Sequence, residues 1–367
     1  MQLATLDWII IALFFIITMV IGLMVSKSAG SSSSEYFLGG RSMSWWLLGV
    51  SMVATTFSAD TPNLVTDIVR NNGVAGNWAW WAFLLTGMLT VFVYAKLWRR
   101  SGITTDLEFY EMRYSGPEAR FLRGFRAIYL GVFFNVMIMA TVMLAGIKIG
   151  GILLGLSPMT TVLTVSIITV IYSSVGGFKG VIYTDFFQFV FAMTGMVLAC
   201  IYIVNMPEIG GLSKLLSHPS VVPKLNFLPD FDNMEVLVPL LIVPIAVQWW
   251  SVWYPGAEPG GGGYIAQRML SAKDEKNAIT ATLFFNVAHY ALRPWPWILI
   301  ALASIIVFPT LESIQTAFPD MDPNFVKDDL AFSAMLSFLP VGLMGLVIAA
   351  KAKSSFTKFG SISGKAV

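Results

Sequence analysis

The sequence predicts an all-α polytopic membrane protein, in which a leading helix is followed by a bundle of membrane-spanning helices. Of the 367 residues, 56% are hydrophobic and 12% are charged, and the mean hydropathy is +0.73. A soluble domain carries about 25% charged residues, so the composition excludes that class. Apolar runs of the length that crosses a bilayer recur along the chain. They lie near residues 6–26, 44–69, 77–98, 127–155, 159–177, 180–204, 236–254, 279–308 and 329–350.

The distribution of basic residues predicts the orientation of the chain. With the first residue placed outside, seventeen of the 23 Lys and Arg residues lie in cytoplasmic loops or in the C-terminal tail. Four lie outside and two lie within spans. Because cytoplasmic loops of membrane proteins carry an excess of Lys and Arg, we expect the N-terminus to face outside. The expected location is the inner (plasma) membrane of the cell.

The second apolar run has an unusual polar middle. It reads SWWLLGVSMVATTFSADTPNLVTDIVR over residues 44–70. Pro62 removes a backbone donor, so the helix is expected to bend or open there. The ionisable Asp60 inside a span indicates a functional site, and a helix broken near the midplane is typical of ion and solute sites in secondary transporters. The alternative is a helix that is kinked for packing, with its polar side chains bonded to neighbouring helices.

The loops between spans are less specific. The basic loop 99–126 contains a short amphipathic helix, most simply interpreted as a solvated interfacial helix. The outer segment 205–235 is long enough to cover an external vestibule, and the outer segment 309–329 is acidic. After residue 350 the composition changes to Lys, Ser and Gly. Placing such a lysine-rich segment in the hydrocarbon core of a membrane costs free energy.

Four stretches, in order, carry a resemblance to a known family. They are EYFLGGRSMSWW (35–46), TTDLEFYEMRY (104–114), SSVGGFKGVIYTDFFQ (173–188) and YIAQRMLSAK (264–273). Together they resemble the sodium:solute symporter family, and the resemblance covers most of the chain. It implies a leading helix followed by two five-helix repeats of inverted topology.

The resemblance also implies how the chain divides. The leading helix is 6–26, the first repeat is 44–204, and a partial second repeat is 236–350. Only three of the five helices of the second repeat are expected to begin before the chain ends. The atypical polar tail 351–367 stands where the eighth core helix of the family would continue. We therefore expect a C-terminally truncated or frame-shifted chain.

The resemblance implies sodium as the coupled ion and places its ligands. The carbonyl positions of the first core helix fall on Ala54 and Phe57, with Ser58 adjacent, and hard cations prefer such oxygen ligands. Ala54, Phe57, Ser58 and Thr61 share one helix face by spacing, for which a packing seam of small residues is the alternative. Asp185 corresponds to the carboxylate on the family's inner sodium route. Its alternative role is to pair with Lys179 or a nearby arginine.

The implied solute site lies between the broken helix and the third and seventh spans. By family position the candidates are Ser58, Asp60, Thr61, Trp78, Trp81, Gln248 and Trp249. Aromatic faces beside hydroxyl, amide and carboxylate groups suit a sugar or another small polar organic solute. Tryptophans are often interfacial anchors, which is the alternative for the two in the third span.

Two further residues of the eighth span share a helix face. His289 and Arg293 are spaced i, i+4 and are followed by Pro294 and Pro296. The arginine could bind a carboxylate solute or pair with Asp60. The alternatives are that it snorkels to the interface or bonds to carbonyl groups that the prolines leave free.

The sequence and the resemblance together predict a sodium-coupled symporter of a small polar organic solute, working by alternating access. The expected partners are the solute, the sodium ion and the lipid bilayer, without nucleic acid. Two alternatives stay open: a transporter-like sensor or non-transporting fragment, and a small carboxylate as the solute. No enzyme is expected, because the chain has only two histidines and one cysteine and lacks the HExxH, GxSxG and P-loop spacings.

Overall fold

The structure is a computed structural model, and it describes residues 3–29, 32–56, 60–173, 177–249 and 263–350. Within these ranges the fold is helical, and the one β-type pairing is an isolated bridge between Met43 and Ala272. The helices of the first half are α1 (Thr5–Ala29), α2 (Ser33–Leu38), α3 (Trp45–Thr56), α4 (Asp60–Asn72), α5 (Val74–Ser101), α6 (Glu108–Arg113), α7 (Pro117–Leu154), α8 (Pro158–Ser173) and α9 (Gly177–Val204).

The second half begins with a long loop and ends with two short helices that a non-helical segment separates. Its helices are α10 (Leu212–Ser217), α11 (Met234–Gln248), α12 (Tyr264–Leu270), α13 (Glu275–Val307), α14 (Leu311–Ala317), α15 (Leu330–Leu336) and α16 (343–350). In the described part of the chain, five helices are long and apolar enough to span a membrane. They are α1, α5, α7, α9 and α13, and shorter apolar helices cover Trp45–Thr56 and Met234–Gln248.

One of the predicted spans is divided in the structure. The run 44–69 contains α3 and α4, and because residues 57–59 between them lie outside the described residues, the expected break there stays a prediction. The run 329–350 was predicted as one span, and this is wrong, because α15 stops at Leu336 and helix resumes at 343. Pro340 lacks a backbone donor and Gly342 has a φ of +88°, so neither continues a helix.

The start of α16 is fixed by the first helix of the chain. The Asp7 carboxylate accepts hydrogen bonds from the backbone N–H groups of Gly342 (2.7 Å) and Gly345 (2.8 Å). These are the donors that a helix leaves free at its N-terminus, so Asp7 acts as a cap from a distant part of the chain. A Cβ added at Gly345 would lie 2.6 Å from the Asp7 Cα, so the close approach requires glycine.

We call the two ends of the bundle inner and outer, after the orientation that the basic residues predict. At the inner end the Lys273 N–H donates to the Met43 carbonyl (3.0 Å), and Arg99 Nε donates to the Ala272 carbonyl (2.6 Å). At the outer end Arg70 pairs with Asp328 (2.7 Å). Both ends therefore hold contacts between the first 101 residues and the segment after 263.

The helix α3 lies at the centre of the fold. Every residue from Leu47 to Thr56 is buried, and α3 packs against both α9 and α13. A helix that is apolar all round belongs in the interior of a bundle, whereas the outward faces of α1 and α7 carry many exposed apolar side chains. The polar side chains of α3 consequently find their partners within α3 itself and on the helices packed around it.

Candidate functional site

The C-terminal end of α3 and the start of α4 frame the candidate site. α3 ends at Thr56 and α4 begins at Asp60. Ala54 is fully buried in α3, and Asp60 and Thr61 are half-buried in the first turn of α4. Two predicted residues, Phe57 and Ser58, lie outside the described residues.

A cluster of two hydroxyls and a buried ion pair lies on one side of α3. The Ser51 hydroxyl donates to Asp185 Oδ2 at 2.7 Å, and the Thr55 hydroxyl lies 3.3 Å from the same oxygen. Arg268 of α12 donates from Nε to the Ser51 hydroxyl (2.9 Å) and from Nη2 to the Thr55 hydroxyl (2.7 Å). We call these four residues the Asp185 cluster. It joins three helices from distant parts of the sequence.

The charges of the Asp185 cluster compensate each other. Arg268 Nη2 lies 3.3 Å from Asp185 Oδ2, and both side chains are 1% exposed. Arg268 Nη1 donates to the Tyr264 carbonyl at 2.9 Å. A buried ion pair is tolerated when further hydrogen bonds satisfy its remaining atoms, and the two hydroxyls serve that purpose here.

The alternative that Asp185 pairs with a basic residue therefore holds in the structure, and the partner is Arg268. Lys179, the other partner considered, pairs instead with Glu35 of α2 at 2.7 Å. Asp185 nevertheless keeps an oxygen-rich environment, since the Ser51 and Thr55 hydroxyls lie beside its carboxylate. Its role on a sodium route stays a prediction.

A second cluster lies on another side of α3, one residue further along. The Thr56 hydroxyl lies 3.2 Å from His289 Nδ1 and accepts a hydrogen bond from Arg293 Nη1 at 3.2 Å. Because His289 and Arg293 both contact one hydroxyl, they do share a face of α13. We call these three residues the Thr56 cluster.

The arginine of the Thr56 cluster does not snorkel. Arg293 is 1% exposed, and its guanidinium lies 5.0 Å from the centre of the Trp297 ring. The helix is wound more loosely just before it, because the Arg293 N–H donates to the Ala288 carbonyl five residues back. Such π-turns are frequent at functional sites.

Aromatic rings surround the Thr56 cluster. The Trp80 ring meets His289 edge-on at 6.1 Å and stacks on Tyr290 at 5.8 Å, and Phe285 lies 5.3 Å from His289. An arginine and a hydroxyl among aromatic faces suit the recognition of a small organic molecule that carries polar groups.

The two tryptophans that the sequence analysis selected lie beside an outer loop. Trp78 donates from Nε1 to the Phe227 carbonyl (3.0 Å), and Trp81 stacks on the Phe227 ring at 5.1 Å. Phe227 belongs to the segment 205–235, which was expected to cover a vestibule. The residue of this span that reaches the Thr56 cluster is Trp80, which sequence reasoning missed.

The remaining predicted residues lie at the end of α11. Gln248 is exposed and Trp249 is half-buried, and residues 244–248 pack against the turn Trp78–Trp81 of α5. The segment 250–262 that follows lies outside the described residues. The structure thus brings the end of α11 near Trp78 and Trp81, while Asp60, Thr61 and Arg293 lie around the end of α3.

Arg268 was the most important residue that the sequence analysis left without a role. It stands in the YIAQRMLSAK segment, where the Gln-Arg pair was noted only as part of the resemblance. The available signal was a pair of opposite charges: a basic residue lies shortly before one apolar run, and a single carboxylate lies within another.

The fold and these buried polar clusters are those of a multi-pass helical membrane protein, and comparisons with known proteins narrow that class. Residues 36–356 match the sodium:solute symporter family. The chain therefore belongs to the sodium:solute symporter family. A solved structure of a Na+-coupled sialic acid symporter in a substrate-bound, outward-open state shares the fold. Its TM-score is 0.74 at 20% identity, over 99% of this chain and 72% of that one.

The curated relatives carry different solutes in their names. The sodium/glucose cotransporter of Vibrio parahaemolyticus is 25% identical over 98% of this chain and 67% of its own length. The human sodium-coupled monocarboxylate transporter 2 is 27% identical over 86% and 48%, respectively. The sodium/myo-inositol cotransporter of Canis lupus familiaris is 26% identical over 99% and 53%. This chain thus spans from about half to two thirds of the length of these relatives.

Proposed function

We propose that this chain is a sodium-coupled symporter that moves a small polar organic solute across the plasma membrane by alternating access. The proposal rests on one observation above all: a hydroxyl, a histidine and an arginine lie together deep in the bundle, where Thr56, His289 and Arg293 are all buried. Membership of the sodium:solute symporter family supports the coupling ion.

The proposed sodium ligands are oxygen atoms on and after α3. Ala54 and Phe57 would offer carbonyl groups and Ser58 a hydroxyl, as the family position implies. Asp185 would serve on the inner route, where its carboxylate attracts a cation. Because Arg268 already neutralises that carboxylate, we expect sodium to gain access to it only when the Arg268 contact loosens.

The proposed solute region is the Thr56 cluster with Asp60 and Thr61, lined by aromatic rings. Hydroxyl and carboxylate groups beside aromatic faces suit a sugar, the first candidate. A small carboxylate is the second candidate, and the buried guanidinium of Arg293 favours it because arginine binds carboxylates in a two-pronged geometry. The monocarboxylate transporter among the relatives supports the same alternative.

We also propose that the N-terminus faces outside. The support is the excess of basic residues at the inner end, where Arg99, Arg100 and Arg123 all lie on the predicted cytoplasmic side. A cysteine placed at residue 3 and labelled with a membrane-impermeant maleimide tests this. Labelling of intact cells is expected, and labelling only after lysis would reverse the orientation.

The function is tested by uptake in proteoliposomes. Purified protein is exposed to radiolabelled hexoses and to short monocarboxylates, under an inward sodium gradient or an equal potassium gradient. We expect uptake of one class of solute with sodium only. Sodium-dependent binding without uptake under any gradient would contradict the transport proposal and favour a sensor.

The solute class is separated by a variant that keeps the charge. Arg293→Lys retains a cation but loses the planar fork of donors, so uptake of a carboxylate should fall by about tenfold or more. Uptake of a hexose should change much less, since a hydroxyl needs no two-pronged partner. A larger loss with the hexose than with the carboxylate would exclude the carboxylate alternative.

A further inference from the structure

A cavity of about 530 Å³ opens at the inner end of the bundle, and none of the residues that line it belongs to the two clusters around α3. It lies between the segment 104–111, the first turns of α7, and the start of α12. That volume is within the range of sites that bind small molecules. Its polar lining residues are Thr104, Thr105, Asp106, Glu111, Arg120, Arg123 and Gln267.

Some charged side chains that line the cavity have partners within the described part of the protein, and one does not. Asp106 Oδ2 accepts a hydrogen bond from the Gly263 N–H at 3.0 Å, and Glu111 pairs with Arg123 at 2.5 Å. Arg120 is exposed, and it makes neither a hydrogen bond nor an ion pair with any residue in the described ranges. The cavity therefore presents one uncommitted guanidinium, with a second one close by that is held by a surface carboxylate.

The floor of the cavity is an apolar trough along α7. Gly124, Ala127 and Gly131 line it, and their spacing places them on one helix face. A Cβ added at Gly124 or at Gly131 would meet nothing within 4 Å, so the trough is open. Ile128 and Val132 border it and are 68% and 59% exposed.

The position of the trough relative to the charges matches a membrane boundary. Arg120, Arg123 and Arg126 occupy the first turns of α7, and no charged residue follows until Lys148. Basic residues at the start of an apolar span lie at the headgroup level, on the cytoplasmic side by the basic-residue rule. The trough consequently runs from the headgroup region into the hydrocarbon.

We propose that this cavity binds an anionic phospholipid of the inner leaflet. Its phosphate accepts hydrogen bonds from Arg120 and, in competition with Glu111, from Arg123. One acyl chain lies in the trough over Gly124, Ala127 and Gly131. The acyl chain of the lipid is surrounded by hydrocarbon before and after binding. The trough therefore contributes a matching shape, while the charge of the headgroup determines which lipid binds.

Direct lipid binding tests the proposal without any transport measurement. The protein in a neutral detergent is titrated with phosphatidylglycerol or with phosphatidylcholine of the same chains, and lipid adducts are counted by native mass spectrometry. We expect one tight phosphatidylglycerol adduct, favoured over phosphatidylcholine by roughly tenfold, the factor that one charge-assisted hydrogen bond represents. Equal binding of the two lipids would overturn the proposal.

Two matched pairs of variants locate the site. Arg120→Gln should weaken the phosphatidylglycerol adduct by about tenfold, whereas Arg113→Gln removes an exposed charge nearby that does not line the cavity and should leave it unchanged. Gly131→Leu fills the trough and should weaken the adduct, whereas Gly146→Leu adds the same side chain to α7 elsewhere, in space equally open. Equal losses within either pair would contradict the assignment.

A third arm separates a lipid from a soluble anion. Inorganic phosphate is added to the complex in excess over the lipid. Retention of the phosphatidylglycerol adduct supports a site that uses the acyl chain as well as the phosphate. Complete displacement by inorganic phosphate would show an anion site without a lipid component, and would overturn the proposal.

Discussion

Two adjacent threonines of α3 face clusters of different character. Thr55 belongs to the Asp185 cluster, in which an arginine and a carboxylate compensate each other and two hydroxyls complete their hydrogen bonds. Thr56 belongs to the Thr56 cluster, in which an arginine and a histidine lie among aromatic rings. The first arrangement fastens three helices together. The second combines a cation, a hydroxyl and aromatic rings, the groups that suit an organic solute, so we propose that neighbouring residues of one helix serve a structural and a recognition purpose.

The largest loss of stability is expected when Arg268 of the Asp185 cluster is replaced. Arg268→Gln leaves the Asp185 carboxylate buried without its cation, which typically costs about 3–5 kcal/mol of folding free energy. Chemical unfolding in detergent measures the loss. As a control, Arg100→Gln removes an arginine from the exposed pair with Glu275 and should cause no measurable loss. Equal losses would show that the Asp185 cluster does not hold the helices.

The second test compares the two threonines in the same assay. Thr55→Val removes an acceptor from a charged guanidinium and should destabilise the protein by about 2 kcal/mol. Thr56→Val removes two longer contacts, at 3.2 Å each, with the histidine and the arginine of its cluster, and should destabilise the protein by about 1 kcal/mol. Thr66→Val, where the hydroxyl bonds only within its own helix to the Pro62 carbonyl, provides the baseline. The reverse order for Thr55 and Thr56 would contradict the structural role given to the Asp185 cluster.

A smaller effect on stability, with a clear effect on recognition, is expected at Trp80. Trp80→Leu removes the ring that stacks on Tyr290 and meets His289, at a cost of about 1 kcal/mol. The KM for the solute should rise several-fold. Trp98→Leu changes a tryptophan at the inner end, where it contacts Phe109, and should leave the KM unchanged. Equal KM values for Trp80→Leu and the unaltered protein would show that the Trp80 ring does not contribute to solute binding.

The smallest expected effect is a pH dependence at the start of the helix that carries His289. The Asp274 carboxylate accepts hydrogen bonds from the Asn277 N–H (2.8 Å) and side-chain amide (2.9 Å), which hold the pKa of Asp274 below its usual value. Because that pKa is lowered on folding, the stabilisation is complete above the usual value of about 3.9. It is lost as the pH falls through the lowered pKa.

Thermal unfolding of Asp274→Ala and of the unaltered protein tests this cap. The two melting temperatures should differ near neutral pH and converge in acid, while Asp320→Ala, on an exposed loop, should show no such convergence. A difference that persists unchanged in acid would mean that the carboxylate charge is not what stabilises the start of α13.

Sequence reasoning predicted a break in the second span, because a proline among polar residues interrupts the backbone hydrogen bonding of an otherwise apolar helix. Residues 57–59, next to that proline, lie outside the described residues, so the break stays a prediction. Sequence reasoning also placed His289 and Arg293 on one face, since helical spacing determines which side chains are neighbours. It could not find the partner of Arg268, because that contact joins residues 83 positions apart through tertiary packing. It missed Asp7 for the same reason, since the cap it forms on α16 spans most of the chain.

The wrong prediction concerned 329–350, where hydropathy and backbone geometry disagree. Hydropathy registers an uninterrupted apolar run there, whereas backbone geometry divides it at Pro340 and Gly342. A short apolar helix before such a break does not need to span the membrane. The choice of Trp78 and Trp81 over Trp80 likewise followed family position, while the direction in which each ring points depends on the packing of α5 against α13 and the outer loop.

The central claim, that the Thr56 side of α3 contacts the solute and the Thr55 side does not, is tested most directly by uptake kinetics. Sodium-driven uptake would be measured for Thr56→Val and Thr55→Val at varied solute concentration, scaled to the amount of folded protein. We expect Thr56→Val to raise the KM for the solute by about tenfold. We expect Thr55→Val to leave that KM unchanged. A raised KM in Thr55→Val with an unaltered one in Thr56→Val would mean that the solute lies on the other side of α3.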